Sequence, residues 1–115
     1  MPGRPAETVF VMSWIFLLLA GGLEVVWAFS MKLSHGFTRL TPSIITITAM
    51  VGSVALLALA MRELPLGTAY MIWTGMGALG AFVVGVSFLG EPVSLQRMIA
   101  AALILCGLVT MKLSS

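Results

Sequence analysis

The sequence predicts an all-α integral membrane protein with four transmembrane helices. Of its 115 residues, 60% are hydrophobic and only 9% are charged, with a mean hydropathy of +1.13. Soluble domains contain about 25% charged residues. Four apolar runs are each long enough to cross a bilayer as a helix, at residues 13–31, 43–61, 66–89 and 94–111. Barrel strands are disfavoured because their polarity would alternate over about ten residues.

The first twelve residues are predicted to form a disordered extension before a membrane domain at residues 13–115. This segment begins polar and proline-rich, and chain ends of this kind are commonly unstructured. Met12 directly precedes the first apolar run and is an alternative start of translation. We expect the helices at about residues 13–32, 43–61, 66–89 and 94–112.

Three short loops connect the predicted helices. Gly36 and Pro42 delimit the first loop, Pro65 ends the second, and Gly90 begins the third. Connections of this length make neighbouring helices run antiparallel. We therefore expect an up-down-up-down bundle.

Glu24 is the only acidic residue in the first apolar run and lies near its middle. Twenty helical residues rise about 30 Å, roughly the thickness of the hydrocarbon core, so this carboxylate is predicted near the bilayer midplane. An unpaired charge at that depth is costly and is usually functional. We expect Glu24 to be a site where a proton and a cation compete. The alternative is a protonated Glu24 that serves only helix packing.

Residues that share a face with Glu24 favour a cation-binding pocket. Gly21 leaves space one turn before the acid, and Trp27 offers an indole face for cation–π contact one turn after it. On the third helix, Tyr70 and Trp73 offer a hydroxyl, an indole N–H and two aromatic faces. Interfacial anchoring is the alternative for Tyr70.

Two weaker indications come from the second and third helices. Ser53 could hydrogen-bond Glu24, although serines often bond their own helix backbone. Gly75 and Gly77 predict a hinge at which the third helix bends. Tight static packing is the alternative for these glycines.

The distribution of basic residues predicts that the chain inserts in both orientations. Lysines and arginines near short loops normally set orientation. Here the two sides carry equal numbers, with Arg4, Arg62 and Lys112 on one and Lys32, Arg39 and Arg97 on the other. An inverted copy would bring a second Glu24 into the same cavity, and two-fold dimers and inverted repeats are common. We expect an antiparallel homodimer, with the fourth helix as its contact element.

The sequence also disfavours several classes of function. The single cysteine excludes an internal disulfide and a cysteine metal cluster, and His35 has no partner at ligand spacing, so no metal site is predicted. A phosphate-binding loop motif is absent, which disfavours ATP as an energy source. The net charge of +2 is too small to indicate nucleic-acid binding. We expect a protein that is not an enzyme, uses no cofactor and draws energy from an ion gradient.

Two segments resemble a known family. GGLEVVWAFSMKLSHGFTR (residues 21–39) and LPLGTAYMIWTGMGALG (residues 64–80) are similar to the small multidrug resistance transporters, and the similarity covers essentially residues 12–115. Within that family, EVVWA and GTAYMIWTGMGALG resemble the guanidinium exporter subtype.

The resemblance implies an antiparallel dimer in the cytoplasmic membrane that exports guanidinium in exchange for protons. By position, it implies that Glu24 binds both the proton and the substrate. It also implies a set of residues that line or organise the pocket, namely Gly21, Trp27, Ser53, Tyr70 and Trp73.

Two other functions remain open. The first is a less selective exporter of quaternary ammonium or other hydrophobic cations, although that subtype typically has a small residue at the position of Trp27. The second is a small dual-topology channel or an assembly subunit without transport of its own. The polar residues cluster around one acid and form no continuous path, which favours a carrier over a channel.

Overall fold

The computed structural model describes residues 5–114, with side chains from residue 7 onward, and this part of the chain is entirely helical apart from short loops. Four helices follow one another, α1 (Pro5–Leu33), α2 (Leu40–Ala60), α3 (Leu66–Phe88) and α4 (Leu95–Leu113). Each is long and apolar enough to cross a membrane. The prediction of an all-α protein with four membrane-spanning helices is confirmed.

The helix α1 begins at Pro5 and not at residue 13. Proline is suited to the first helical turn because its ring fixes φ and that turn needs no backbone donor. Glu7 lies in the same turn, where a carboxylate interacts favourably with the helix dipole. One turn further on, the rings of Phe10 and Trp14 meet edge to face, 6.2 Å apart. The structure thus describes residues 5–12 as helix, where the sequence predicts a disordered extension, and residues 1–4 lie outside the described part.

The helix α2 also begins earlier than predicted, at Leu40, so Pro42 lies in its first turn. A proline is tolerated there because the first amide groups of a helix have no partner within the helix. The preceding loop is a tight turn in which His35, Gly36 and Phe37 all have positive φ angles. The Ser34 hydroxyl stabilises this turn by accepting a hydrogen bond of 3.0 Å from the Phe37 amide.

The core of the fold is made by α1, α2 and α3. The helix α1 packs against both α2 and α3, whereas α4 packs against α3 alone. The main cluster of buried apolar residues belongs to the first three helices and the turn before α3, namely Trp14, Leu17, Ala20, Leu57, Ala60, Leu64, Ala69, Ile72 and Trp73. No residue of α4 is buried. The structure is therefore a three-helix core with a peripheral fourth helix.

Glycines of α3 allow α1 and α4 to approach closely. A Cβ atom at position 80 would overlap the side chain of Val25, and one at position 77 would overlap the carboxylate of Glu24. On another face, a Cβ atom at Gly75 would overlap Leu108 of α4. Small residues at such contacts are typical of helix packing in membranes.

We predict that Gly80→Ala destabilises the fold by about 1–3 kcal/mol, the usual cost of overpacking. Valine is held in one rotamer in a helix, so Val25 cannot rotate away from the new methyl group. The matched control is Gly22→Ala on the same pair of helices, because nothing lies within 4 Å of a Cβ atom there. Unfolding in mixed detergent micelles measures both variants. Equal stabilities would show that α1 and α3 do not pack at this spacing.

Candidate functional site

The Glu24 side chain lies between α1 and α3, against the backbone of Gly77. Its Oε1 atom is buried and accepts no hydrogen bond from the described residues. A buried acceptor without a partner is unfavourable by about 1–3 kcal/mol. The carboxylate is therefore placed to gain free energy by binding a proton or a cationic donor.

Trp27 lies one turn after Glu24 on the same face of α1 and is half-buried. Its indole Nε1 is also buried and has no acceptor among the described residues. An unpaired acceptor and an unpaired donor thus lie one turn apart on one helix. That Trp27 lines a pocket around the acid stays a prediction.

Ser53 joins three helices by two hydrogen bonds. Its hydroxyl donates to the Ala20 carbonyl of α1 over 2.6 Å, and it accepts a bond of 3.0 Å from Trp73 Nε1 of α3. In an α-helix the carbonyl of residue 20 is also the acceptor for the amide of residue 24. The bridge therefore fixes the backbone turn that carries Glu24. The Ser53 hydroxyl bonds neither the Glu24 carboxylate nor its own helix, which were the two alternatives from the sequence.

Tyr70 lies at the margin of this group. Its ring centroid is 5.5 Å from that of Trp73, which is buried, while Tyr70 itself is half-exposed. In the described chain its hydroxyl forms no hydrogen bond with Glu24. The structure therefore brings Tyr70 next to Trp73 but leaves its hydroxyl outside the immediate surroundings of the acid.

Gly21 makes room for a side chain of α3. An ideal Cβ atom at Gly21 would lie 2.8 Å from Cε of Met76 and 3.1 Å from its Sδ. In this single chain, the space predicted for a ligand beside Gly21 is occupied by Met76. The sequence does not identify Met76 as a contact residue. The one signal for it is its position between two glycines, Gly75 and Gly77.

The predicted hinge residues both serve as contact points. Gly75 faces Leu108, Gly77 faces Glu24, and α3 continues without interruption through both positions. These contacts support the packing interpretation. Bending at these glycines stays a prediction.

A cleft of about 290 Å³ lies between α1 and α3 on the helical faces that carry Glu24 and Gly77. Ala28 and Ala81, each one turn further along its helix, line it. Lys32 and Glu91 line its outer end, and the Glu91 carboxylate lies over Gly85. Small residues leave space in this cleft between larger side chains such as Phe29 and Phe82, and Glu24 itself does not line it.

Four apolar helices around one intramembrane carboxylate are the features of a small membrane transporter. The family model of the Small Multidrug Resistance proteins matches residues 12–104 of this chain. The chain belongs to this family and is a multi-pass protein of the cytoplasmic membrane.

Three relatives named "Guanidinium exporter" are similar to the chain over 104 residues, which is 90% of this chain and 99% of each relative. The identity is 61% for the protein of Salmonella typhimurium strain LT2, 59% for that of Citrobacter freundii and 57% for that of Escherichia coli K12. The resemblance to the guanidinium exporter subtype is thus confirmed.

We predict that Ser53→Ala lowers the free energy of unfolding by about 1–3 kcal/mol, since it leaves the buried Trp73 indole without an acceptor. In a Trp73→Phe background the same change should cost less, which gives a coupling energy of about 1 kcal/mol. Thr110→Ala is the control, because the Thr110 hydroxyl bonds its own exposed helix at Cys106 O. Additive effects of the two changes would contradict the hydrogen-bonded bridge.

Proposed function

We propose that this protein exports guanidinium, and small substituted guanidinium ions, in exchange for protons. The observation that carries the proposal is the buried Glu24 oxygen without a partner, in a chain that is 57–61% identical to the guanidinium exporters above. Guanidinium is planar and presents paired N–H groups that match the two oxygens of a carboxylate. Glu24 is the binding group for both the substrate and the proton.

The aromatic residues near Glu24 suit a flat cation. The half-buried Trp27 lies one turn from the acid and can offer its indole face to the guanidinium plane. Trp73 is held by Ser53 and supports the ring of Tyr70. These residues form or organise the wall of the pocket, with Tyr70 at its outer edge.

The transporting unit is an antiparallel homodimer. Two features of the single chain support this arrangement. The helix α4 is apolar and has no buried residue, so a second copy would cover surface that is otherwise left to lipid. The basic residues are also balanced between the two membrane sides. In such a dimer two Glu24 carboxylates face one cavity.

The exchange of guanidinium for protons follows from competition for the two Glu24 carboxylates of the dimer. Two neighbouring carboxylates titrate as a unit. A guanidinium ion uses the same oxygens as the protons, so substrate entry releases protons and proton entry releases substrate. The proton gradient then drives export without a cofactor or a bound nucleotide.

We predict that liposomes containing the purified protein exchange guanidinium for protons, and that Glu24→Gln reduces this exchange to the level of protein-free liposomes. The amide keeps the shape of the side chain but carries neither the charge nor the titratable proton. Glu63→Gln is the control, because it removes an exposed carboxylate from the turn between α2 and α3. Exchange at the wild-type rate in Glu24→Gln would remove Glu24 from the mechanism.

The same liposomes test the substrate class. Guanidinium and methylguanidinium should drive opposing proton movement, while a tetraalkylammonium ion should not. Equal exchange of the tetraalkylammonium ion would indicate a broad exporter of hydrophobic cations. Guanidinium flux without any proton movement would indicate a channel, and no flux of any cation would indicate an assembly subunit.

For topology, we predict that a reporter fused after residue 115 is found on both faces of the membrane in comparable amounts. The balance of basic residues is the physical reason. Adding two lysines after residue 115 should shift the reporter towards the cytoplasmic face and serves as the control. A strictly one-sided signal for the unmodified chain would contradict the antiparallel dimer.

A further inference from the structure

A second cleft, of about 300 Å³, lies between α1, α3 and α4. It exists because α1 and α4 each pack on α3 while their backbones stay apart from each other. The exposed surface of its walls is entirely apolar, with contributions from Leu18 of α1, Ile72 of α3 and Val109 of α4. Leu18 and Val109 are about half-exposed, so the cleft opens sideways to the bilayer.

Trp14 and Lys112 line one end of the cleft through their apolar atoms, which places the charged end of Lys112 at the border of the cleft. The ammonium of Lys112 lies 4.2 Å from the centroid of the Trp14 ring, and both residues line the cleft. Trp14 is only 8% exposed, and its Nε1 is buried without an acceptor among the described residues. Lys112 belongs to the last turn of α4. The adjacent Met111 contacts Thr68 near the start of α3, which places this end at the membrane boundary.

We propose that this cleft binds an anionic phospholipid. One acyl chain occupies the apolar cleft, and the phosphate accepts a hydrogen bond from the ammonium of Lys112. The three N–H donors of a lysine ammonium allow it to bind a phosphate while it remains over the Trp14 ring.

Charge complementarity selects an anionic lipid over a zwitterionic one. A basic residue at the membrane boundary attracts anionic headgroups, and a zwitterionic headgroup brings a cation of its own to the same position. The apolar walls of the cleft, which is open to the bilayer, favour the binding of a hydrocarbon chain and disfavour a polar solute.

The site is separate from the cation site, although one side chain touches both. Met76 lines this cleft and also packs against Gly21, one turn before Glu24. A bound acyl chain would thus contact Met76, which fills the space beside Gly21. The lipid site does not depend on which cation is transported, so either conclusion can fail without the other.

The test is lipid retention by the full-length protein in mild detergent, measured by native mass spectrometry. The probes are phosphatidylglycerol and phosphatidylcholine with identical acyl chains. The wild-type protein should retain phosphatidylglycerol selectively. Lys112→Gln should lower that retention about fivefold, the effect of one basic residue at an anionic surface. Lys112→Arg should restore it.

Arg97→Gln is the matched control, because it removes one positive charge from the opposite end of α4. Val109→Phe, which fills the cleft while leaving Lys112 in place, should also lower retention of phosphatidylglycerol. In vesicles, phosphatidylglycerol brominated on its acyl chains should quench wild-type fluorescence more than that of Trp14→Phe. Brominated phosphatidylcholine should show a smaller difference.

Three results would overturn the proposal. The first is equal retention of the two lipids, which would indicate unspecific annular lipid. The second is an equal loss of phosphatidylglycerol from Lys112→Gln and Arg97→Gln, which would indicate a general charge effect. The third is disulfide formation between two copies of Val109→Cys in a Cys106→Ser background, which would show that a second copy covers the cleft.

Discussion

The contact between Glu24 and Gly77 is the constraint on which the rest of the structure depends. Because residue 77 has no side chain, α3 lies close enough to α1 to bury a carboxylate oxygen and leave it without a donor among the described residues. A side chain at this position would displace the acid, and a polar neighbour would satisfy it permanently. Either change would remove the unfavourable state that ligand binding relieves. The close packing of Val25 on Gly80, one turn further along, keeps the two helices at this distance.

The polar residues near the contact between Glu24 and Gly77 stabilise the backbone and form no hydrogen bond with the Glu24 carboxylate. Ser53 donates its single proton to the Ala20 carbonyl and accepts from Trp73, so it has no proton left to donate to the Glu24 carboxylate. The arrangement separates two tasks in a small protein. A satisfied, fully buried network determines how α1, α2 and α3 fit together, and an unsatisfied carboxylate on the neighbouring turn is left for chemistry.

The sequence predicts the helices well and the contacts between them poorly. Apolar runs bounded by glycine and proline are local patterns, so the four helices and three loops follow from them directly. The polar residues near the start of the chain favour a start of α1 at residue 13, whereas Pro5 is suited to the first turn and the helix begins there. Glu24 is central only in the apolar run from residue 13; because α1 begins at Pro5 and ends at Leu33, the acid lies in the C-terminal half of the helix. The hydrogen-bond partners of Ser53 depend on how the helices are rotated against each other. The same rotation decides that Met76 fills the space beside Gly21. That rotation is set by interlocking side chains far apart in sequence.

The exposed α4 helix connects the proposals made for this protein. One part of its surface, around Leu108 and Lys112, borders the cleft towards α1. Another carries Ala100 and Ala101 beside a groove against α3. Small residues favour close approach of a second helix, whereas an apolar cleft that ends in a lysine favours an anionic lipid. A peripheral helix with two unlike surfaces can therefore serve two partners, a second copy on one and lipid on the other. Leu108 of α4 packs against Gly75 of α3, and Gly77 of α3 packs against Glu24. A second copy or a lipid bound to α4 is therefore connected to Glu24 through these two contacts.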